Sequence, residues 1–430
     1  MKTFFKNFVV RVLTFEAKLL LRRARPKIIA VTGSVGKTST KDAIYHAIKD
    51  QVSARKSVKS FNSEIGVPLS VLGLDNAWSN PFLWFKNLFD GLLVALFPGK
   101  YPDVLVLEMG VDRPGDIARL TEWITPDVVV LTRLPNVPAH VEYFPTPEAV
   151  IAEKLTLVDA LAADGVLVYN NDDEKIRQIV EGVRQKAVGY SRYSQSQFTA
   201  TQDEVVFQND TITGMRVDIT HVNETVSVEV GGGVGVQHCY NIAAACAVAS
   251  IFDVSLEQAR ESLVTFVPPA GRMRIIKGIK NTLIIDDTYN SSPVAAERAL
   301  SVLFELPHFK RRIAVMGDML ELGQFSVREH ERVGEQVADG ADVLVSVGVR
   351  ARGIAEGAMS HGLSKKVIMQ YDEAVRAGRE LQNFIQPGDV ILVKGSQGMR
   401  MEKIVMDLMA KPDLSDTLLV RQSRQWQKKI

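Results

Sequence analysis

The chain of 430 residues is poor in cysteine and contains no long hydrophobic run. Its two cysteines, Cys239 and Cys246, lie in a segment of small residues at a spacing that suits neither a zinc site nor a disulfide framework. We interpret both as reduced thiols in the core of a cytosolic protein. No apolar run reaches about eighteen residues and no cleavable signal is recognisable, so the sequence predicts neither a membrane span nor export.

A strong net charge is also absent, because 51 lysines and arginines nearly balance 50 aspartates and glutamates. No nucleic-acid partner is therefore expected. The balance is uneven along the chain, since residues 1–27 carry a net charge of +7, which leaves −6 for the rest of a chain with a total of +1. Against the single acid Glu16, the basic residues of this segment are Lys2, Lys6, Arg11, Lys18, Arg22, Arg23, Arg25 and Lys27.

Residues 1–27 are predicted to form a basic amphipathic helix that Pro26 ends. On a helical wheel, Arg11, Lys18, Arg22 and Arg25 cluster on one side. The apolar residues that run beside them are Phe4, Phe8, Val12, Phe15 and Leu19. Such a helix suits an anionic membrane surface, and it suits equally a helix packed on the rest of the protein or in a dimer. The first alternative predicts a protein held on the inner face of the cytoplasmic membrane.

Residues 76–100 are unusually rich in aromatic and aliphatic residues and hold few charges. The large apolar side chains of this segment are Trp78, Phe82, Trp84, Phe85, Phe89, Leu92, Leu93, Leu96 and Phe97. A density of this kind is typical of buried core, and it is also typical of a segment that enters a bilayer interface beside an amphipathic helix. The sequence favours burial without excluding the interface.

A glycine-rich segment, residues 31–40 (VTGSVGKTST), follows an apolar run and precedes a helical pattern. Glycines at such a turn let backbone N–H groups point toward an anion at the helix N-terminus. Lys37 can then reach terminal phosphates, and the Thr38 hydroxyl can hold Mg²⁺. Val31 stands where the general P-loop pattern has a glycine. The predicted phosphate cradle consists of Gly33, Ser34, Val35, Gly36, Lys37, Thr38 and Ser39.

The order of apolar runs predicts an α/β protein with two domains after the N-terminal helix. Residues 28–267 alternate strand-like and helical runs, as in a P-loop ATPase domain with a parallel sheet. Thr/Val alternation around residues 190–235, with turn signals at Asn209-Asp210, indicates a small antiparallel insertion. A Pro-Pro-Ala-Gly linker then leads into residues 268–430, which are predicted to form a Rossmann-like domain.

The P-loop variant TGSxGKTxT, together with motifs at widely separated places, resembles the Mur ligases. These further motifs are residues 60–69 (SFNSEIGVPL), 108–110 (EMG), 271–273 (GRM), 286–293 (DDTYNSSP), 317–323 (GDMLELG) and 393–403 (VKGSQGMRMEK). They are most similar to the branch of the family that adds D-alanyl-D-alanine. The resemblance implies an ATP-dependent acid–amino-acid ligase of peptidoglycan precursor synthesis, which phosphorylates a carboxylate and lets an amine attack the acyl phosphate.

The resemblance also implies a metal site with two Mg²⁺ ions. Glu108 matches the family's Mg²⁺-binding glutamate, with an N-cap or surface acid as the alternative. His140 resembles a histidine of the second metal site. Lys154 resembles the family lysine that is carbamylated, since a free ammonium cannot bind a cation. An ordinary helix-surface lysine is the alternative for Lys154.

The family's nucleotide contacts map onto both domains. Adenine is expected between them, near Asn241, Arg272 and Asp287. Arg272 is expected to pair with phosphate, with a structural salt bridge as the alternative. Tyr289 and Asn290 belong to the loop that resembles the nucleotide- and substrate-facing loop of the family. Asp318 and Glu321 are candidates for substrate binding and equally for capping or hinge contacts, and Lys394 resembles a residue near the incoming dipeptide.

Only about thirty residues precede the P-loop, so the family's UDP-binding first domain is not expected here. One reading is a monomer that joins D-alanyl-D-alanine to a soluble UDP-muramyl tripeptide. A second is an enzyme held at the membrane that extends a lipid-linked or other carboxylate acceptor. Mur-like ligases of the cyanophycin, folylpolyglutamate or amidotransferase-associated types, and a non-catalytic nucleotide-binding scaffold, are further alternatives.

Overall fold

The computed structural model describes residues 2–58, 61–209 and 211–427, and the side chains of these residues from position 5 onward. Four residues of the sequence predictions are not covered by this description. Ser60 of one motif, Asp210 of the predicted turn and the side chains of Lys2 and Phe4 lie outside the described residues.

A large, mostly parallel sheet occupies the first part of the chain. In the described residues its strand order is β2-β3-β1-β4-β5-β6-β7-β8-β9, with β8 and β9 antiparallel to their neighbours. Its strands are β1 Lys27–Thr32, β2 Ala54–Lys56, β3 Val104–Glu108, β4 Val128–Leu131, β5 Val166–Asn170, β6 Lys186–Ser191, β7 Phe198–Gln208, β8 Thr211–His221 and β9 Glu224–Gly231. The P-loop strand β1 lies inside the sheet, between β3 and β4.

The second sheet has the described order β10-β11-β15-β12-β13-β14, in which β10 alone is antiparallel to its neighbour. Its strands are β10 Arg274–Lys277, β11 Leu283–Asp287, β12 Arg311–Gly317, β13 Val343–Val347, β14 Ile368–Tyr371 and β15 Asp389–Lys394. Helices cover both sheets, as the buried, β-branched strands require. The predicted α/β class, with its parallel sheet, antiparallel insertion and Rossmann-like second sheet, is confirmed.

The helices of the first part are α1 Lys2–Ala24, α2 Lys37–Ile48, α3 Gly66–Leu72, α4 Pro81–Leu96, α5 Asp116–Thr121, α6 Pro147–Asp159, α7 Glu174–Val180, α8 Gln237–Ile251 and α9 Leu256–Leu263. Those of the second part are α10 Pro293–Glu305, α11 Ser326–Ala338, α12 Arg352–Ser360, α13 Ala374–Phe384, α14 Glu402–Leu408, α15 Ser415–Leu418 and α16 Arg424–Gln427. None of the described helices combines the length and the apolar character that crossing a bilayer requires.

Helix α1 packs on helices α3 and α4 with one face and leaves the other exposed. Leu13, Ala17 and Leu20 are fully buried, whereas Phe8 and Phe15 are exposed. The packed-helix interpretation describes the buried face, and the other side of the helix is exposed, apolar and basic. Contact of that side with a membrane stays a prediction.

The segment 76–100 is divided in the same way. Helix α4 begins at Asn80, whose side chain accepts hydrogen bonds from Phe82 N and Leu83 N, with Pro81 in the first turn. Of this helix, only Trp84, Gly91 and Ala95 are buried. The expectation that burial explains the apolar density of the segment is thus wrong for most of α4.

Candidate active site

The P-loop turns at the carboxyl end of β1, where two glycines have backbone angles that favour glycine. Gly33 has φ 139° and Gly36 has φ 88°. A Cβ atom on Gly33 would approach Thr132 Oγ1 to 2.0 Å, so no other residue fits there without a shift. Helix α2 begins directly after Gly36. The N–H groups of its first turn and its positive dipole end suit the anion site that the sequence predicts.

Lys37 folds back over this loop. Its Nζ donates to the backbone oxygen of Gly33 at 2.9 Å. Burial lowers the pKa of Lys37, and this effect exceeds the opposing influence of the Glu108 carboxylate. An ammonium held without a carboxylate in direct contact is suited to neutralising a phosphate.

Glu108 lies beside the P-loop because β1 and β3 are neighbours and Val31 pairs with Glu108 in their register. Its side chain is buried, Oε1 accepts a hydrogen bond from Asn62 Nδ2 at 3.4 Å, and Oε2 has no hydrogen-bond partner among the described residues. A buried carboxylate oxygen without a donor is costly unless a cation meets it. Glu108 therefore fits the predicted Mg²⁺ ligand, and a surface acid is excluded.

Lys154 projects from α6, a helix that Thr146 caps by accepting from Ala149 N. Its side chain is 2% exposed, which excludes the ordinary surface lysine. Burial first, and then the charge of Lys37, lower the pKa of Lys154 to about 7. At neutral pH a large fraction of this amine is thus uncharged, which is the form that reacts with carbon dioxide.

His140 contacts the second part of the chain. It has φ 68°, and its Nδ1 lies 2.5 Å from Glu321 Oε2. The phenol oxygen of Tyr143 donates to Glu321 Oε1 at 3.4 Å, so Glu321 links this segment to the second sheet. In the described residues, no group of three or more His, Cys, Asp or Glu side chains is placed to hold a metal ion. Metal binding by His140 and a hinge role of Glu321 stay predictions, and the contacts of Glu321 with His140 and Tyr143 are observed.

Arg272 reaches from the second part of the chain to the P-loop. One of its guanidinium nitrogens donates to Thr38 Oγ1 at 3.3 Å, and the guanidinium lies 4.0 Å from the ring centre of Tyr289. Its Nε is buried without a hydrogen-bond partner, and no carboxylate pairs with it among the described ion pairs. Arg272 thus faces the P-loop rather than a described carboxylate, and its pairing with phosphate stays a prediction.

Asn241 lies in the buried helix α8 behind the P-loop, where its Oδ1 accepts from Thr40 Oγ1 at 2.9 Å. Its Nδ2 is buried and has no hydrogen-bond partner. Among the described residues no acceptor meets this amide group, and nucleotide binding by Asn241 stays a prediction.

Lys394 organises the loop after β11. Its buried Nζ lies 2.5 Å from Asp287 Oδ2 and donates to the backbone oxygen of Asn290 at 3.0 Å. Asp287 also accepts from Met273 N at 3.2 Å. From the sequence, Lys394 was expected near the incoming dipeptide. Its contacts with Asp287 and with the backbone of Asn290 were not predicted.

Arg421 is a residue of this site that the sequence reasoning missed. It pairs with buried Glu402 at 2.8 Å and donates to the backbone oxygens of Thr288 and Tyr289 at 2.9 and 2.5 Å. It lies beyond the last family motif, and no local pattern distinguishes it from other arginines. Asn62 was part of a quoted motif, but only the fold shows that it contacts Glu108.

All these side chains meet at one cleft of about 2030 Å³ between the two sheets. Of the predicted site residues, Gly33 and Asp318 do not line it. Gly33 shapes the turn from beneath, and Asp318 accepts a hydrogen bond from Ala351 N at 2.7 Å. The predicted residues that line the cleft are Ser34, Val35, Gly36, Lys37, Thr38, Ser39, Glu108, His140, Lys154, Asn241, Arg272, Asp287, Tyr289 and Asn290.

Comparison with known proteins agrees with this geometry. The model of the Mur ligase middle domain matches residues 31–249, and the model of the Mur ligase glutamate ligase domain matches residues 271–397. A Bacillus subtilis (strain 168) protein named UDP-N-acetylmuramoyl-tripeptide–D-alanyl-D-alanine ligase is 28% identical over 399 residues, which cover 92% of this chain and 79% of the relative. An Escherichia coli (strain K12) protein of the same name is 28% identical over 388 residues, 89% and 76% of the two chains.

Solved structures of Mur ligases also resemble the chain. The crystal structure of MurF ligase from Thermotoga maritima in complex with ADP has a TM-score of 0.75 at 26% identity, covering 93% of this chain and 83% of that one. MurF from Acinetobacter baumannii has a TM-score of 0.76 at 24% identity, covering 93% and 80%, and shows the shared fold. With one family model spanning half of its length, the chain belongs to the Mur ligase family.

Proposed function

We propose that the protein is an ATP-dependent ligase that joins D-alanyl-D-alanine to the carboxylate of a muramyl tripeptide. The observation that carries this proposal is the meeting of three groups in one cleft: the P-loop with Lys37, the partnerless carboxylate oxygen of Glu108, and buried Lys154. The two substrates are inferred from the names of the Bacillus subtilis and Escherichia coli relatives.

The chain's own residues account for the steps that need protein groups. The P-loop N–H groups and Lys37 neutralise the phosphates of ATP, and Arg272 closes over them from the second sheet. Transfer of the γ-phosphoryl group converts the acceptor carboxylate into an acyl phosphate, which the amine of the dipeptide attacks with loss of phosphate. The acceptor and the nucleotide must be held in line for this transfer. The cleft lies between the two sheets, so residues from both sheets can hold them.

We also propose that Mg²⁺ binds at two places in this cleft, held by Thr38, Glu108, His140 and a carbamylated Lys154. The buried, partnerless oxygen of Glu108 and the lowered pKa of Lys154 support this set. Carbamylation joins the neutral amine to carbon dioxide with release of one proton, which gives an anionic oxygen ligand. The metal ions would supply charge neutralisation for the transferring phosphoryl group.

Further parts of the proposal concern organisation. We propose an ATP-binding domain of residues 28–267 and a C-terminal domain of residues 268–430, since each sheet lies within one of these ranges apart from Lys27 at the start of β1. We propose a monomer whose residues 1–27 contact an anionic membrane surface, on the basis of their net charge of +7.

An assay of ADP release tests the proposed function. The full chain is supplied with ATP, Mg²⁺ and muramyl tripeptides that differ in their third residue, with and without D-alanyl-D-alanine. Release that requires both the tripeptide and the dipeptide supports the ligase. ADP release with another amine or carboxylate would assign the chain to a different Mur-type ligase, and nucleotide binding without turnover would favour the scaffold.

A further inference from the structure

Helix α4 exposes a continuous row of large apolar side chains. Along this helix and at the residue that ends it, the exposed fraction is 83% for Phe82, 60% for Phe85, 63% for Phe89 and 76% for Phe97. Their spacings of three, four and eight residues correspond to one and two helical turns and place them on one side, opposite buried Trp84 and Ala95. Among the described residues, Phe207 is the only exposed phenylalanine outside α1 and this segment. An apolar row of this size on a folded protein marks a contact surface.

Helix α1 continues this surface with phenylalanine and basic residues. Phe5 contacts Phe85 with ring centres 6.2 Å apart, so the exposed row of α4 adjoins α1. Phe8, one turn after Phe5, begins an exposed or half-buried row at helical spacing. This row consists of Phe8, Arg11, Phe15, Lys18 and Arg22. We use the name α1–α4 surface for this row together with the four exposed phenylalanines in and directly after α4, namely Phe82, Phe85, Phe89 and Phe97.

The charge of this surface identifies its partner. The one acid of α1, Glu16, is buried, so every exposed charged side chain described on α1 is basic. On α4, Lys86 and Asp90 neutralise each other in an ion pair. A second copy of the chain would oppose two segments of charge +7. An anionic bilayer matches both the apolar side chains and the positive charge of this surface. Phenylalanines enter the acyl region, while arginine and lysine reach the headgroups.

The α1–α4 surface adjoins the active-site cleft. Lys6, within one turn of Phe8, lines the cleft and pairs with Glu64 at 2.8 Å. Trp78, in the loop that leads into α4, lines it too and meets Trp426 of the C-terminal region with ring centres 5.9 Å apart. The cleft that contains Lys37 and Lys154 therefore extends to the edge of this surface.

From this arrangement we infer that the α1–α4 surface binds an anionic bilayer, and that the acceptor carboxylate belongs to a muramyl peptide with a lipid anchor in the same membrane. Bilayer binding stands independently of the catalytic assignment, whereas the substrate class rests on the proposed function. Bilayer binding and a lipid-anchored acceptor are connected because the cleft adjoins the α1–α4 surface. An enzyme bound to the bilayer through this surface has its cleft at the level of the lipid headgroups.

Vesicle flotation tests bilayer binding with the full chain. Vesicles of phosphatidylcholine with phosphatidylglycerol should carry the protein, vesicles of phosphatidylcholine alone should carry at least about fivefold less, and high salt should release part of it. The triple variant F82S/F85S/F89S should lose binding at least about tenfold. Its matched control is V264S/V327S/V349S, which removes three exposed valines at other places and should bind like the unmodified chain.

Two results would overturn bilayer binding. One is an unmodified chain that stays with neither vesicle type at low salt. The other is a dimer, detected by sedimentation, that the F82S/F85S/F89S variant converts to a monomer, because the row would then bind a second copy. Equal vesicle binding by the two triple variants would likewise remove α4 from the contact.

A comparison of two acceptors tests the substrate class. The same muramyl tripeptide is offered on UDP in solution and on a polyprenyl diphosphate in anionic vesicles, and ADP release is measured. The unmodified chain should use the lipid-linked acceptor at least about tenfold faster, and F82S/F85S/F89S should lose this advantage while its rate with the UDP-linked acceptor is unchanged. Equal use of both acceptors overturns the substrate class. If neither is used, the proposed function fails, and flotation still decides bilayer binding.

Discussion

In most proteins charged side chains are exposed and large apolar side chains are buried. The floor of the cleft and the α1–α4 surface both depart from this rule, in opposite ways. The floor of the cleft contains the buried ionisable side chains of Glu108 and Lys154 and the half-buried side chain of Lys37. The α1–α4 surface places phenylalanines where water is present. A buried charge without a partner destabilises a fold far more than an exposed apolar side chain does.

This difference separates two kinds of functional information. Partnerless charges such as Glu108 Oε2 indicate what chemistry a site performs, because only a bound ion or substrate compensates their burial. Exposed phenylalanines indicate where the protein binds a partner, because they contribute little to the fold itself. Changes in the first region should alter turnover, and changes in the second should alter location and leave the chemistry intact.

Lys37→Ala should give the largest effect. Loss of the ammonium that faces the phosphates should lower ADP release by at least about 100-fold. Thermal melting should be equal to or above that of the unmodified chain, because a desolvated charge is removed. The measurement pairs steady-state ADP release with a melting curve, and unchanged turnover would contradict the P-loop assignment.

Lys154→Ala should lower turnover by about 10–100-fold, the usual effect of losing a group that orders a metal. Short carboxylic acids such as acetate should restore part of the rate by supplying an anion to the site. Lys186→Ala, at an exposed lysine of β6, is the control and should behave like the unmodified chain. Full activity of Lys154→Ala without additives would show that the lysine has no metal role.

Trp84→Ala and Phe89→Ala compare the two sides of α4 directly. Trp84 is 8% exposed and donates from Nε1 to the backbone oxygen of Trp78, so its loss should cost about 3–5 kcal/mol of unfolding free energy. Phe89 is 63% exposed, and its replacement should change stability by less than about 0.5 kcal/mol. Chemical denaturation measures both. A large cost at Phe89 would mean that the α1–α4 surface is covered in the folded protein.

Glu16→Gln should give a smaller, pH-dependent effect. Burial raises the pKa of Glu16 from 4.5 to about 7, so the folded chain holds this proton more tightly than the unfolded chain. Stability from this group is complete below about pH 4.5 and is lost as the pH rises toward 7. Between about pH 5 and pH 8 the unmodified chain should lose about 1–3 kcal/mol relative to Glu16→Gln. Parallel stability curves for the two proteins would contradict a buried, neutral Glu16.

The local sequence pattern was sufficient to predict the fold class and the main strands. Apolar runs such as residues 283–285 and 313–316 predicted strands that the structure contains as β11 and β12, because a buried parallel strand requires a continuous apolar segment. The glycine-rich turn before Lys37 predicted a phosphate cradle, because its conformation is set within a few residues. The α/β class and the family followed from such segments.

By itself, then, the sequence determined the P-loop, the order of strands and helices and the identity of most candidate site residues. Only the tertiary structure decided which of them are buried and what they meet: the desolvation of Lys154, the contact of His140 with Glu321, the fixation of Asp287 by Lys394, and the exposure of Phe82 and its neighbours. The reason is physical. Backbone conformation and periodicity are local, whereas desolvation, pairing and exposure depend on residues that are distant in the chain and adjacent only after folding.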